Sequence, residues 1–325
     1  MRASDFQESP RKKGFMTLEL FTSVVDKIIA DSAALNRPFF IDLFNWAEPM
    51  LHPEFDEICR ILAKRKVQFS VSSNMNHEAS FVELVRSANG IRASVSGFSN
   101  EIYQKSHVGG DINLLISNLY RLRYVMDKVK RSPFVQVLYH VYKDNCDEEM
   151  KKLQTLSESL GFKFIPVYAY FMGLEKYLSY REGSDRFSEK DRQTNERMIF
   201  SIDEAIEIAK YGHQSDCILR QEQTVINHDG SVPVCCAVFD PVNFVANDFL
   251  SISPQELQAK KMSAAICEKC MDQNIHNVAV YNPKEMFEEI AIARMTERKQ
   301  KYVTRFDTEP LVAEVLYTDQ GFELR

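Results

Sequence analysis

The sequence predicts an α/β protein: an incomplete parallel (β/α) barrel, then a small cysteine-rich region, then a C-terminal helix. Three observations carry that reading. From Thr17 to Tyr168, helix-like and strand-like segments alternate through five strands. Such repeated units imply a parallel sheet with crossover helices, open or curled. Four cysteines in the last third, Cys217, Cys235, Cys267 and Cys270, stand in the frame C-x17-C-x31-C-x2-C. No cysteine precedes Cys59.

Each element has a local cause. Thr17 caps a helix running to about Asn36, with Leu20, Phe21, Val24, Val25, Ile28 and Ile29 at helical spacing. Pro38 to Phe44 is a short β-rich apolar run. Pro53 opens a helix through Phe55, Ile58, Ile61 and Leu62, and Val67 to Val71 is the next strand. A helix over Phe81–Ala88 precedes a strand over Ile91–Val95. Asp111 caps a long helix whose buried face is Leu114, Leu115, Leu119, Leu122 and Val125. Phe134 to Tyr142 is a strand, Asp147 to Leu160 a helix stopped by Gly161, and Phe162 to Tyr168 the fifth strand. Residues 185–212 read as a charged helical bridge. Thr224-Val225-Ile226 and Val232-Pro233-Val234 flank His228-Asp229-Gly230, a hairpin signal. Ser253 and Pro254 start a short helix as cap and first helical residue. Pro283 to about Lys301 is the last helix, and the final twenty residues are weakly patterned. Boundaries follow at 1–200, 201–282 and 283–325.

Composition narrows the function. The 325 residues are 45% hydrophobic and 26% charged, as in ordinary globular proteins. A net charge of −6 argues against non-specific nucleic-acid binding. The basic cluster Arg11-Lys12-Lys13 reads as a solvated loop. No apolar run approaches the ~18 residues of a membrane span, and no signal-peptide core opens the chain. Seven cysteines, five of them after residue 216, fit thiolate ligation in a reducing cytoplasm better than a disulfide scaffold.

The four late cysteines, beside an Asp-Gly hairpin and closing on a C-x2-C, read as ligands of one metal centre. Four thiolates suit an iron–sulfur cluster or structural zinc. Cys236 is an alternative to Cys235, since strand alternation turns only one of them inward. Cys59 reads as packing within an amphipathic helix, and Cys146 as structural beside a helix cap. The seven histidines form no metal-ligand pair or nucleophile motif. Strand C-terminal ends carry ligand sites in βα folds, which draws attention to Glu48. Serines and asparagines at such ends often only satisfy backbone groups. Tyr168, Tyr170 and Phe171 read as core.

Several ordered stretches resemble radical S-adenosylmethionine (SAM) enzymes with a SPASM or twitch domain, over roughly residues 14 to 280. Gly14-Phe15-Met16 resembles the segment after that family's cluster loop. Asn45-Trp46-Ala47-Glu48-Pro49, followed by Leu51-His52-Pro53, resembles its G-G-E-P-L-x-H-P stretch, with Trp46 and Ala47 in place of both glycines. Ser72-Ser73-Asn74, Ser94-Val95-Ser96-Gly97 and Tyr142-Lys143-Asp144-Asn145 resemble its later strand ends; His107-Val108-Gly109-Gly110 is a partial match to an Arg-x-Gly element. Cys217, Asp229-Gly230-x4-Cys235, Asn247, Ser253–Leu257 and Cys267-x2-Cys270 follow the order of a twitch domain.

The resemblance implies one auxiliary [4Fe–4S] cluster on Cys217, Cys235, Cys267 and Cys270. It implies a SAM site drawing on Glu48, Ser72, Asn74, Ser94, Ser96 and Asn145. Its further implications are a peptide, carbohydrate or other small-molecule substrate and a redox donor. The family's C-x3-C-x2-C, which holds the SAM-cleaving cluster, has no counterpart here. The expectation is therefore a truncated or degenerate member that does not cleave SAM alone. The alternative is a non-catalytic binding protein with a structural four-cysteine site.

Overall fold

The computed structural model describes residues 14–171, 173–184, 187–212, 216–297, 315–318 and 321–324. The Arg11-Lys12-Lys13 cluster and the end of the last predicted helix lie outside the described residues.

The chain begins with α1 (Leu18–Leu35), capped where the Thr17 hydroxyl accepts the Leu20 N–H at 3.2 Å. Strand β1 (Ile41–Leu43) follows, then a tight turn at Pro49–Leu51 and α2 (Phe55–Lys64). The repeat continues through β2 (Phe69–Ser73), α3 (Val82–Ser87), β3 (Gly90–Val95), α4 (Asn100–Tyr103) and α5 (Ile112–Val129). It closes with β4 (Phe134–Val141), α6 (Glu148–Ser159) and β5 (Lys163–Tyr168). The five strands pair in sequence order, and every pair is parallel. This is the predicted α/β fold. Both faces of a parallel sheet are covered, and the strands are correspondingly apolar: Phe69, Val71, Ile91, Ala93, Val95, Val137, Tyr139 and Val141 have essentially no exposed surface.

Helix α5 packs through Ile112, Leu115, Asn118, Leu119, Leu122 and Met126. The predicted stripe was rotated slightly, for Leu114 and Val125 are only half-buried. Gly161 adopts φ +70 and stops α6 in the left-handed conformation that glycine takes most readily. The sheet curls. The Trp46 indole, just past β1, sits edge-on to Phe239 with centroids 5.7 Å apart. A Cβ on Gly173, just past β5, would lie 3.8 Å from that indole. The loops after the first and last strands thus meet, although β1 and β5 do not pair.

Beyond the sheet come α7 (Leu174–Arg181), α8 (Glu189–Arg197), α9 (Ile202–Ala209) and α10 (Ile218–Glu222). The predicted bridge is therefore two capped helices, not one. Ser188 and Ser201 each build a reciprocal capping box, and these boxes start new helices within the charged stretch. Strands β6 (Val232–Pro233) and β7 (Phe244–Ala246) pair antiparallel; α11 (Pro254–Met262), α12 (Ala265–Asp272), α13 (Ile275–Val278) and α14 (Lys284–Glu297) follow. The predicted hairpin is corrected in part. Residues 227–231 do close a tight turn, with Asn227 N–H on Ser231 O at 2.9 Å, but β6 pairs with β7 and not with residues 224–226. The tail carries β8 (Val315–Thr318) and β9 (Gly321–Leu324), an antiparallel pair that weak patterning did not reveal.

Helix α1 joins the two regions. Its Phe21 and Val25 enter the core under the sheet, while Val24 joins Val232, Phe249, Ile252 and Leu257 in a second, small core. The main core itself runs on from the sheet through Val234, Cys235, Ile266 and Cys267. Among the described residues, no helix is long and apolar enough to cross a membrane.

Candidate functional site

Three separate pieces of chain deliver the four predicted ligands. Cys217 is the N-cap residue of α10, Cys235 follows β6 on a bend, and Cys267 and Cys270 lie on α12. Three residues apart on a helix, the last two share one face. The C-x2-C is thus helical here. Strand alternation does not choose between Cys235 and Cys236, because the strand ends at Pro233. Their neighbours differ instead: Cys235 feels Cys236, Cys267 and Cys270, whereas Cys236 feels Cys217.

The thiols are close enough to act on one another's ionisation. Burial pushes Cys235 well above the ordinary thiol range, and Cys236, Cys267 and Cys270 push it further. Burial also pushes Cys270 up to about 12, helped by Cys217 and Cys267. Cys236 is pushed up to about 11 by burial. Burial raises Cys267 too, against the pull of Arg220 and Lys261. A bound metal reverses this balance, since its ligands must be deprotonated. Among the described residues, no three His, Cys, Asp or Glu side chains close tightly enough to chelate a single ion. Cys59, whose thiol burial pushes up to about 12, is packed in the core as expected.

Two buried cations border the thiols. Arg220 donates to Asp216 and, at 3.2 Å, to Met262 O, and it hydrogen-bonds Cys267. Lys261 is only 2% exposed. Its Nζ donates to Gln223 O at 2.6 Å, and Cys235, Cys267, Cys217 and Glu222 lie within its electrostatic field. Neither cation stood out in the sequence. The signals were Arg220 three residues after Cys217, and Lys261 four after the buried Leu257 on one helix face.

The loop beside Cys235 is tied down by α7. Glu175 accepts from Phe239 N at 3.1 Å, Asp240 N at 3.0 Å and Asn243 Nδ2 at 3.3 Å, and Leu174 N donates to Ala237 O at 2.8 Å. Phe239 then reaches Trp46, so one short loop connects the cysteines to the mouth of the sheet.

The residues predicted for SAM do gather at the C-terminal ends of β1 to β4, and most of their polarity is spent on the fold. Glu48 accepts from Met50 N at 3.2 Å and Asn74 N at 2.8 Å, tying the first two loops together. Burial raises its pKa against those amide bonds. Ser72 Oγ lies 3.3 Å from Ser94 Oγ, and Asn74 Oδ1 accepts from Asn76 N at 2.9 Å. Ser96 Oγ lies 2.8 Å from His107 Nδ1. Asn145 is fully buried; it accepts from Tyr142 N at 2.7 Å and donates to Ser96 O and His140 O at 2.9 Å each. Burial holds His107 well below its usual range and His140 down to about 4, so both are neutral at pH 7.

Other atoms at this mouth lack partners. Asn45 Nδ2, Trp46 Nε1 and both His77 ring nitrogens are buried without a hydrogen bond, and Glu48 feels His77 electrostatically. Buried polar groups are normally paired, so these fit a bound molecule rich in acceptors. Glu48 also takes a side-chain hydrogen bond from Ser73, so one of its four lone-pair sites is left for a ligand donor. His77 and Asn45 were not singled out from sequence, where each is an unremarkable loop polar residue.

No family model matches the chain, and no curated protein does. Among solved structures, the chain is similar to Streptococcus suis SuiB bound to precursor peptide SuiA. That overlap has 12% identity and a TM-score of 0.49, over 73% of this chain and 57% of that one. SuiB bound to S-adenosylmethionine overlaps at 12% identity and a TM-score of 0.47, over 77% and 61%. An archaeal TYW1 overlaps at 15% identity and a TM-score of 0.33, over 50% and 60%. The chain therefore spans less than two thirds of the length of these proteins.

Proposed function

We propose that this chain is a radical SAM-type iron–sulfur protein with one auxiliary [4Fe–4S] cluster on Cys217, Cys235, Cys267 and Cys270. The observation that carries the reading is that four thiols from three stretches of chain each lie within the electrostatic field of at least one other. Among the described residues no three such side chains are grouped to hold a metal ion, and the reading of a cluster in place of one zinc rests on the order of the cysteine frame. Such a cluster supplies one-electron transfer and iron sites. The protein's part is to bury it, to hold Arg220 and Lys261 beside it, and to fix the 235–240 loop through Glu175.

SAM would be held at the sheet mouth by Trp46, Asn45, His77 and the free lone pair of Glu48, with Ser72, Asn74, Ser94, Ser96 and Asn145 shaping the strand ends. A peptide or small-molecule substrate would enter beside the Trp46–Phe239 contact, and a redox donor would serve the cluster in a reducing, cytoplasmic setting. Among the described residues the mouth offers no set of three thiols, so these residues alone do not cleave SAM. The chain reconstituted anaerobically with iron and sulfide is expected to hold close to four irons and four sulfides and to release no deoxyadenosine with SAM and dithionite. Zinc without iron or sulfide would remove the cluster; deoxyadenosine would show that the catalytic centre lies within this chain.

A second reading has its own support. Glu48 and Asn145 bind backbone as struts do. A non-catalytic protein that binds a substrate or partner at the mouth, with the thiol centre as clamp, needs no more. Binding of SAM in equilibrium dialysis separates the two, since only the first requires it.

A further inference from the structure

We infer that the inner face of the sheet carries an anion-binding site centred on Arg92, which takes the carboxylate or phosphate group of a small organic acid. The site depends on neither the cysteine centre nor SAM. Residues alternate across a sheet, so a strand can differ in character between its two faces. The face packed by the helices is apolar: Val71, Ile91, Ala93, Val95, Val137 and Tyr139 have essentially no exposed surface. The other face, inside the curl, carries Asp42, Ser70, Ser72, Arg92, Ser94 and Gln136 on β1 to β4. A parallel sheet is usually apolar on both faces, and a charged residue at its centre calls for a partner. Ser72, Arg92, Gln136 and Lys163 are register partners on four successive strands, β2 to β5.

The Arg92 guanidinium is held in place without being used up. Its Nε donates to Gln136 Oε1 at 3.2 Å, and its Nη1 donates to one oxygen of Asp42 at 3.3 Å. That same Asp42 oxygen accepts from the Ser70 hydroxyl. The guanidinium carbon lies 5.4 Å from the centre of the Phe44 ring, which steadies it. Nη2 makes no hydrogen bond among the described residues. A guanidinium matches a carboxylate or a phosphate through two parallel bonds, and Asp42 supplies only one. The Arg92 side chain is 25% exposed and Asp42 41%, so a ligand from water can reach both. Lys163 is half-buried, makes no ion pair among the described residues, and stands two strand spacings from Arg92, about 10 Å between Cα atoms. Arg92 and Lys163 against Asp42 leave one positive charge unmatched on this face. The Ser72 and Ser94 hydroxyls, 3.3 Å apart, add neutral donors beside it. A small acid fits this place better than a protein partner, because the face lies inside the curl, where the loops after the first and last strands meet.

The test titrates the full chain with inorganic phosphate and, separately, with succinate at low ionic strength, and follows amide NMR shifts. The wild type should show saturable shifts centred on Ser72, Arg92 and Gln136. Preference for phosphate would assign a phosphate ester as the ligand class, and preference for succinate a carboxylic acid. Arg92→Gln and Lys163→Gln should each weaken binding by about tenfold or more. Asp42→Asn should tighten it, since the guanidinium then has no competing carboxylate. That sign separates a ligand site from a structural ion pair, for which loss of Asp42 lowers the urea midpoint and leaves anion binding unmoved. Lys163→Gln and Asp42→Asn keep the test open if Arg92→Gln does not fold. Lys128→Gln removes the same charge from the outer helix α5 and should leave binding unchanged. Absence of saturable binding in the wild type, or equal weakening by Lys128→Gln and Lys163→Gln, would overturn the proposal.

Discussion

The two regions of this molecule are stabilised by different means. The packed side of the sheet explains itself: apolar strands, capped helices and a dry core account for its residues, while the mouth, at Asn45, Trp46 and His77, leaves buried polar atoms without partners. The cysteine region does not. It has two short strands, a small core around Val232, Phe249, Ile252 and Leu257, thiols at Cys235, Cys267 and Cys270 with burial working against their ionisation, and a buried lysine. Burial works against the charges of the cysteine region throughout, whereas in the sheet the unmatched buried polarity is confined to the mouth.

That contrast can be broken at several strengths. The largest effect is expected from Cys267→Ser combined with Cys270→Ser. Iron uptake should be lost, and amide protection should fall across residues 217–278 while strands β2 to β4 keep theirs in hydrogen exchange. Equal loss in both regions would mean that the thiols support the whole core. The reciprocal change is Leu119→Ala, which opens a cavity in the fully buried face of α5. It should cost about 2–5 kcal/mol in urea denaturation and leave iron content alone. The joint between the regions comes next. Glu175→Ala leaves the amides of Phe239 and Asp240 without their acceptor, at about 1–3 kcal/mol. Those two amides should exchange faster, and the fluorescence of Trp46, the only tryptophan, should shift.

The smallest effect concerns pH. His140 has its folded pKa depressed from 6.5 to about 4 by burial, and His107 is depressed in the same direction. Between those values the unfolded chain binds the proton and the folded chain does not. Stability from these groups is therefore full above pH 6.5 and is lost as pH falls toward 4. Replacing both histidines by glutamine should flatten the decline in urea midpoint over that window, and an unchanged slope would show that other groups set it.

Much of the sheet was legible because its signals are local. Thr17, Asp111 and Ser253 cap the helices they precede, and each β-rich run became a strand in the predicted order. The cysteine region was legible only as a frame of four cysteines. The pairing of β6 with β7 across ten intervening residues is tertiary, and the Asp-Gly turn could not report it. The buried lysine was hidden for the same reason: one of two adjacent lysines at the end of α11 reads as solvated until the fold turns it inward. At the mouth, Glu48 was visible, but its bonds to Met50 N and Asn74 N, and the unpartnered Trp46 and His77, depend on where the loops meet.

Mössbauer spectroscopy of the anaerobically purified protein addresses the nature of the centre most directly. Spectra of a cubane carrying delocalised iron pairs, lost when Cys217, Cys235, Cys267 or Cys270 is replaced, are what this account predicts. A lone tetrahedral iron, or protein that carries zinc and no iron, would contradict it.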